Sequence, residues 1–259
     1  MEIRSTTGHR ESIVTGDGSE DGPPQEAGGR NAFSPGDGLR PGDVACRIPG
    51  PDASRFAGCT GGELPGRQDI AKFQRQALAS AGLLPILEFP RKPDAKGTEH
   101  TVRFRGRLVE KHQHSDGWVP MLTPVGKIGI THATPTEYLR RLELQNELFG
   151  DEIRIVGLTR GRRFAIHQPA LRGGEPSEVE IRGFLEHAGW QRVPLELQEL
   201  PMQLTGSAWW HVGEQVVLID ARKPNFKKTA FGVLPIDLIL ADLTPEMTNL
   251  LSAPEVRLS

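Results

Sequence analysis

Val216-Val217-Leu218-Ile219-Asp220-Ala221-Arg222-Lys223-Pro224-Asn225 begins as a run of apolar β-formers and ends as a polar loop, with a carboxylate at the junction. The pattern returns at Val233-Leu234-Pro235-Ile236-Asp237, where a second carboxylate follows Asn225 by twelve residues. A charge at the mouth of a strand apolar enough to be buried is costly unless it handles a metal or a proton. Between the two carboxylates, Asn225 to Thr229 and Val233 to Ile236 flank Ala230-Phe231-Gly232, which reads as a hairpin.

The spacing from Asp220 to Asn225 is that of a loop serving both ends of a phosphoryl transfer. In such loops the Asp orients and deprotonates the attacking hydroxyl, and the Asn amide oxygen reaches a metal ion bridging the nucleotide phosphates. Asp237 stands where a second, metal-chelating Asp would emerge. Taken alone, the Asp-to-Asn spacing describes an ordinary turn capped by Asx side chains just as well. The conjunction of an apolar strand before Asp220, Pro224 before Asn225 and Asp237 at a strand end favours the site.

Moving toward the N-terminus, Ser177 caps a helix carrying Val179, Ile181, Phe184 and Leu185 that stops at Gly189. Ile153 to Leu158 and Arg163 to Ile166 form a hairpin around Thr159-Arg160-Gly161-Arg162. Thr134-Pro135-Thr136-Glu137 is a capping box that starts a helix ending at Phe149 and Gly150. Its apolar arc is Tyr138, Leu139, Leu142 and Phe149, flanked by Glu137 and Glu143. Gln145 and Asn146 fall on that apolar side, where an amide needs partners such as a neighbouring backbone or Lys111. His100 to Phe104 and Arg107 to Lys111 make another hairpin across Arg105-Gly106, and Arg67 to Ala81 is an amphipathic helix. Trp209 and Trp210, adjacent on an alternating strand, read as mostly core on one face and partly exposed on the other, with core packing the better reading.

Residues 1–66 are dense in Gly, Pro, Asp, Glu and Ser, and Phe33 and Phe56 are their only aromatics. Such a segment buries too little apolar surface to offset chain entropy, so a disordered tail is expected, and it is the segment expected to meet a protein partner. A formal charge of -2 gives no global basic field, which argues against nucleic acid as a partner and leaves Arg160, Arg162, Arg163, Lys227 and Lys228 as solvated charges. No apolar run approaches the roughly 20 residues that span a bilayer, and Met1 to Gly18 lacks the apolar core of a signal peptide. A soluble cytoplasmic chain without a membrane partner is the expectation. Cys46 and Cys59, the only cysteines, fit neither a zinc knuckle nor a disulfide framework.

The segment Leu218 to Asn225 followed by Leu234-Pro235-Ile236-Asp237 resembles the catalytic loop and metal-binding segment of the protein-kinase-like superfamily. More narrowly, it is similar to the small kinase-like domains of bacterial and phage polyvalent proteins. The resemblance implies an α+β, reduced two-lobed kinase-like fold over residues 67–243, with a small β-rich N-lobe holding one helix, a truncated C-lobe with a catalytic-loop hairpin, and an extension over 244–259. It implies ATP and Mg²⁺ as cofactors, Asp220 as catalytic base, and Asn225 and Asp237 as metal ligands. It also implies Lys111 as the phosphate-contacting lysine, Glu137 as that lysine's partner, and Gln168 beside the hinge that receives adenine. The chain departs from the superfamily at Leu218 in place of His, at Leu238-Ile239 in place of Phe-Gly, and in a phosphate loop reduced to Gly97. Only 22 residues follow Asp237, fewer than the segments that hold a peptide substrate in protein kinases, which argues against a protein acceptor.

Two other functions compete with an ATP-dependent phosphotransferase. One is a kinase-like binding or regulatory module without chemistry. The other is a metalloprotein built on His100, His112 and His114; for the last two, a solvated strand face is the stronger reading.

Overall fold

In a computed structural model the described residues are 38–48, 66–88 and 92–253. The rest of the expected N-terminal tail, with Cys59, lies outside them. The first short helix, α1 (Pro41–Ala45), leads to α2 (Arg67–Ser80), then strands β1 (Ile86–Leu87), β2 (Ala95–Lys96), β3 (His100–Arg105) and β4 (Leu108–Gln113). A hairpin of β5 (Trp118–Leu122) and β6 (Ile128–His132) precedes α3 (Pro135–Phe149), which is followed by β7 (Arg154–Thr159) and β8 (Phe164–Pro169). After α4 (Glu178–His187) come β9 (Gln191–Arg192), β10 (Trp209–His211), β11 (Val216–Ile219), β12 (Phe226–Thr229), β13 (Gly232–Pro235), β14 (Ile239–Asp242) and α5 (Pro245–Ser252). The class is α+β.

Six strands form one sheet in the order β1-β7-β8-β4-β3-β2, antiparallel except where β1 runs parallel to β7. Four strands form a second, antiparallel sheet in the order β14-β11-β10-β9. The pairs β5-β6 and β12-β13 are separate hairpins.

Helix α3 joins these parts, and its ends follow from local chemistry. The Thr134 side chain accepts from Glu137 N while the Glu137 carboxylate accepts from Thr134 N, so two backbone donors that no helical carbonyl can reach are satisfied. Gly150, at φ +69°, ends it in the left-handed conformation that glycine adopts without a Cβ penalty. Tyr138, Leu139 and Leu142 bury one stripe against Ile153, Ile155, Phe164 and Ile166. Each such side chain contributes about 1.5–3 kcal/mol on full burial. Asn146 hydrogen-bonds the backbone of Ile153 through both its amide groups, which fixes α3 against the entry to β7.

A second cluster joins Ile128, Trp210, Val217 and Ile219 to Met247 and Leu251, and a third joins Trp209, Leu218 and Phe226 to Ile181 and Leu185 of α4. Both tryptophans are therefore buried, in different clusters, so the face of β10 expected to be partly exposed is covered too.

Two expected boundaries fall inside the fold. Val44 and Ile48 pack into the α3 cluster and Leu39 bridges to Ile155, so residues 38–48 belong to the structure although the tail reading covered them. Sparse apolar residues sufficed there because α1 packs directly against α3 and β7. The extension after residue 243 likewise carries α5, with Met247 and Leu251 buried. Among the described residues no helix is long and apolar enough to cross a membrane.

Candidate functional site

Asp220 closes β11 with φ +70°, a left-handed conformation that costs a residue with a Cβ about 1 kcal/mol or more. The surroundings hold it there. Asp220 N donates to Ser207 Oγ at 3.2 Å, Ala221 N donates to Ser207 O at 3.1 Å, and Asn225 Nδ2 donates to Asp220 O at 2.8 Å. The loop from 220 to 225 is thus closed by its own first and last residues. The donor end of the Asn225 amide is used, while Oδ1 accepts no hydrogen bond among the described residues. One oxygen of the Asp220 carboxylate takes the Arg222 guanidinium.

Asp237 leaves β13 and meets two cations. Arg141 Nη2 donates to its Oδ1 at 3.1 Å, and Lys111 Nζ lies 3.8 Å from its Oδ2. Burial pushes its pKa up, but Lys111 and Arg141 more than offset this and hold Asp237 below the usual carboxylate range. It stays ionised, with 37% of its side chain exposed. Asp220, Asn225 and Asp237 line one cavity of about 580 Å³, together with Glu99, Arg141 and Arg222. That volume is within the range of small-molecule sites.

Three expected residues take other places. Lys111 is not part of the cavity wall; its ammonium donates to Ile236 O at 3.1 Å and meets the site through Asp237. Glu137 does not pair with Lys111, because its carboxylate is used by the α3 cap and by Arg67. Gln168 does not face the cavity either: it is 3% exposed, and its amide donates to Asp151 Oδ2 at 3.1 Å and Ile236 O at 3.2 Å. The three histidines go separate ways. His100 Nε2 bonds Tyr138 OH at 2.6 Å, His112 is fully buried beside Glu110 instead of lying on a solvated face, and His114 Nε2 bonds Gly97 O at 3.1 Å.

The charge that organises the site is Arg141. At 2% exposure, its Nη1 donates to both oxygens of Glu99 at 2.9 and 2.8 Å, its Nε donates to Leu238 O at 2.7 Å, and its Nη2 reaches Asp237. A buried guanidinium is tolerable only when its donors are matched in this way. One sequence signal pointed to it: Arg141 lies three residues after Tyr138 and four before Gln145, on the apolar side of α3, where a charge must be paired.

Compared with known protein families, curated proteins and solved structures, the chain matches none.

The oxygen donors fit Mg²⁺ only in company. Asp237 is ionised and lines the cavity, Asn225 presents its free Oδ1, and Asp220 adds a carboxylate. Among the described residues no three His, Cys, Asp or Glu gather to hold a metal alone. A hard cation that keeps one or two protein carboxylates and takes its other ligands from water and substrate phosphates suits such a set.

Proposed function

We propose that the chain is a kinase-like phosphotransferase that binds ATP with Mg²⁺ and passes a phosphoryl group to a hydroxyl acceptor. The observation that carries this reading is the convergence of Asp220, Asn225 and Asp237 on one cavity, with Lys111 behind Asp237. Part of the element order supports the reading: β4 bears the lysine, α3 comes after the intervening β5-β6 hairpin, and β7 and β8 return with β8 beside β4 before the Asp220 loop and the β12-β13 hairpin.

Each residue then has a defined task. Asp237 and Asn225 would hold the cation, and Lys111 and Arg141 keep Asp237 ionised and fixed. A Mg²⁺ held there with the nucleotide would supply charge neutralisation to the phosphates. Arg222, on the cavity wall, is placed to meet the transferring phosphoryl group once it leaves Asp220. Asp220 then accepts the acceptor's hydroxyl proton as the new P–O bond forms, and ADP departs; a positioned base of this kind contributes typically ~10² to 10⁴ in rate.

A second reading, a nucleotide-binding module without chemistry, is favoured by one feature: Arg141 stands on Asp237 and Arg222 on Asp220, so both carboxylates already have a cation. ADP formation, measured with ATP and Mg²⁺ in the presence of small hydroxyl acceptors, separates the two. The phosphotransferase reading expects turnover that Asp220→Ala abolishes while ATP affinity is retained. Turnover unaffected by that substitution contradicts the role of Asp220, and ATP binding without any turnover selects the silent module.

A further inference from the structure

No residue of β8, at whose end the resemblance would put adenine, lines the cavity. There the chain is closed on itself: Gly174 and Lys228 exchange two backbone hydrogen bonds of 3.1 and 2.9 Å. A Cβ on Gly173 would lie 2.2 Å from Lys228 O, so the two backbones are in contact. Lys111 and Gln168 both donate to Ile236 O, tying β4 and β8 down onto the residue before Asp237. No planar ring enters between surfaces joined this way.

On the other side of Asp237 the wall is the β5-β6 hairpin. The Trp118 ring stacks on His132 with centroids 4.2 Å apart and planes inclined by 23°, and both residues line the cavity beside Ile130 and Leu204. Trp118 is also wired to the charged end. Its backbone N donates to Glu99 Oε1 at 2.9 Å and its carbonyl accepts from Arg141 Nη1 at 3.3 Å, so the aromatic wall and Asp237 are held by one guanidinium. The cavity therefore has an anion-and-cation-handling end at Asp237, Asn225 and Arg222 and an aromatic wall at Trp118 and His132.

We infer that the base of the bound nucleoside triphosphate rests on the Trp118–His132 wall of the β5-β6 hairpin, with its phosphates toward Asp237 and Arg222. This rests on the nucleotide reading above and names the subsite that reading leaves open. A base offers a π-face to any aromatic side chain, and such stacking is sequence-tolerant. Discrimination between bases then falls to polar groups on the same cavity, where Glu199 and Gln203 stand.

Calorimetric titration of the full chain with ATP and with inorganic tripolyphosphate, each with Mg²⁺, tests the placement. His132→Ala removes an exposed ring, and Trp118→Leu keeps apolar volume in the partly buried position. Each is expected to weaken ATP about tenfold, in line with the 1–3 kcal/mol that a stacked base contributes, while tripolyphosphate affinity stays within twofold of the parent. ATP affinity unchanged in both variants, with the parent binding ATP, overturns the subsite and leaves the nucleotide reading standing. Equal weakening of ATP and tripolyphosphate in the His132 variant also overturns it, since the ring would then act on the phosphates. A parent chain that binds neither ligand removes the nucleotide reading, and the subsite with it.

Discussion

Two carboxyls feel the charge of Lys111, and their surroundings push them in opposite directions. Asp237 faces Lys111 and Arg141, which hold it ionised although burial opposes this. Asp151, in the turn after α3, is enclosed by the amides of Gln145 and Gln168, and burial pushes its pKa up to about 6 against the pull of those hydrogen bonds and of Lys111. Amide dipoles solvate a carboxylate less well than a guanidinium in contact with it. The difference assigns the roles: a carboxylate that is ionised at all working pH values can take a cation, while one that gains and loses its proton near pH 6 reports on the fold around it.

Breaking the guanidinium side of this comparison carries the largest expected effect. Arg141→Met leaves the Glu99 carboxylate buried at 6% exposure without its partner and should cost about 3–5 kcal/mol, read as a lower urea midpoint. An unchanged midpoint would mean that Arg141 does not hold these elements together.

The next effect concerns Asp151. Its folded pKa of about 6 lies above the unfolded value of about 3.9, so between these pH values the folded chain keeps a proton that the unfolded chain has released. The Asp151 contribution is therefore most favourable below pH ~4 and declines as the pH rises to about 6, by about 3 kcal/mol. Asp151→Asn is neutral throughout and keeps one acceptor oxygen. Its stability relative to the parent should rise by up to about 3 kcal/mol at pH 7.5 and be close to zero at pH 4. Chemical denaturation at the two pH values checks the sign, and a variant equally destabilised at both would refute it. The difference between chains is the informative quantity, because His100, which burial pushes down to about 3, gives the parent an opposite slope. Its neutral form is favoured, so stability from His100 is lost as the pH falls from about 6.5 toward 3.

These two carboxyls also mark what a sequence discloses. The capping box at Thr134 and Glu137, the hairpins around Gly106 and Gly161, and the left-handed stop at Gly150 were legible because each is decided within a few residues. That Asp220, Asn225 and Asp237 come to one cavity was legible because apolar strands deliver them to one end of the second sheet and its neighbouring hairpin. The cation facing Asp237 from α3 was not, since Arg141 and Glu99 are 42 residues apart and only the packing of α3 against β3 and β5 joins them. Glu137 was assigned to Lys111 by position on the helix, yet a carboxylate in the first turn has backbone donors within reach that compete for it. His112 was placed on a solvated face because strand alternation does not say that both faces of β4 are covered, and Gln168 was placed beside the adenine hinge by the resemblance alone.

The smallest expected effect sharpens that correction. Glu137→Ala removes half of the capping box and the Arg67 ion pair and should cost about 1 kcal/mol, while ATP affinity stays at the parent value. Loss of ATP binding in this variant, with the fold intact by circular dichroism, would return Glu137 to the nucleotide site.

The most direct test of the central claim is the Mg²⁺ dependence of ATP binding in the parent and in Asp237→Asn, read as the thermal shift at saturating nucleotide. A ligand at 100 times its dissociation constant stabilises by about 2.7 kcal/mol, so the parent should show a clear upward shift with ATP and Mg²⁺ together, smaller when Mg²⁺ is withheld. Asp237→Asn should lose the Mg²⁺-dependent part. A parent that shows no shift, or an Asp237→Asn chain that responds to ATP and Mg²⁺ as the parent does, would contradict the assignment of this cavity to a nucleotide and its metal.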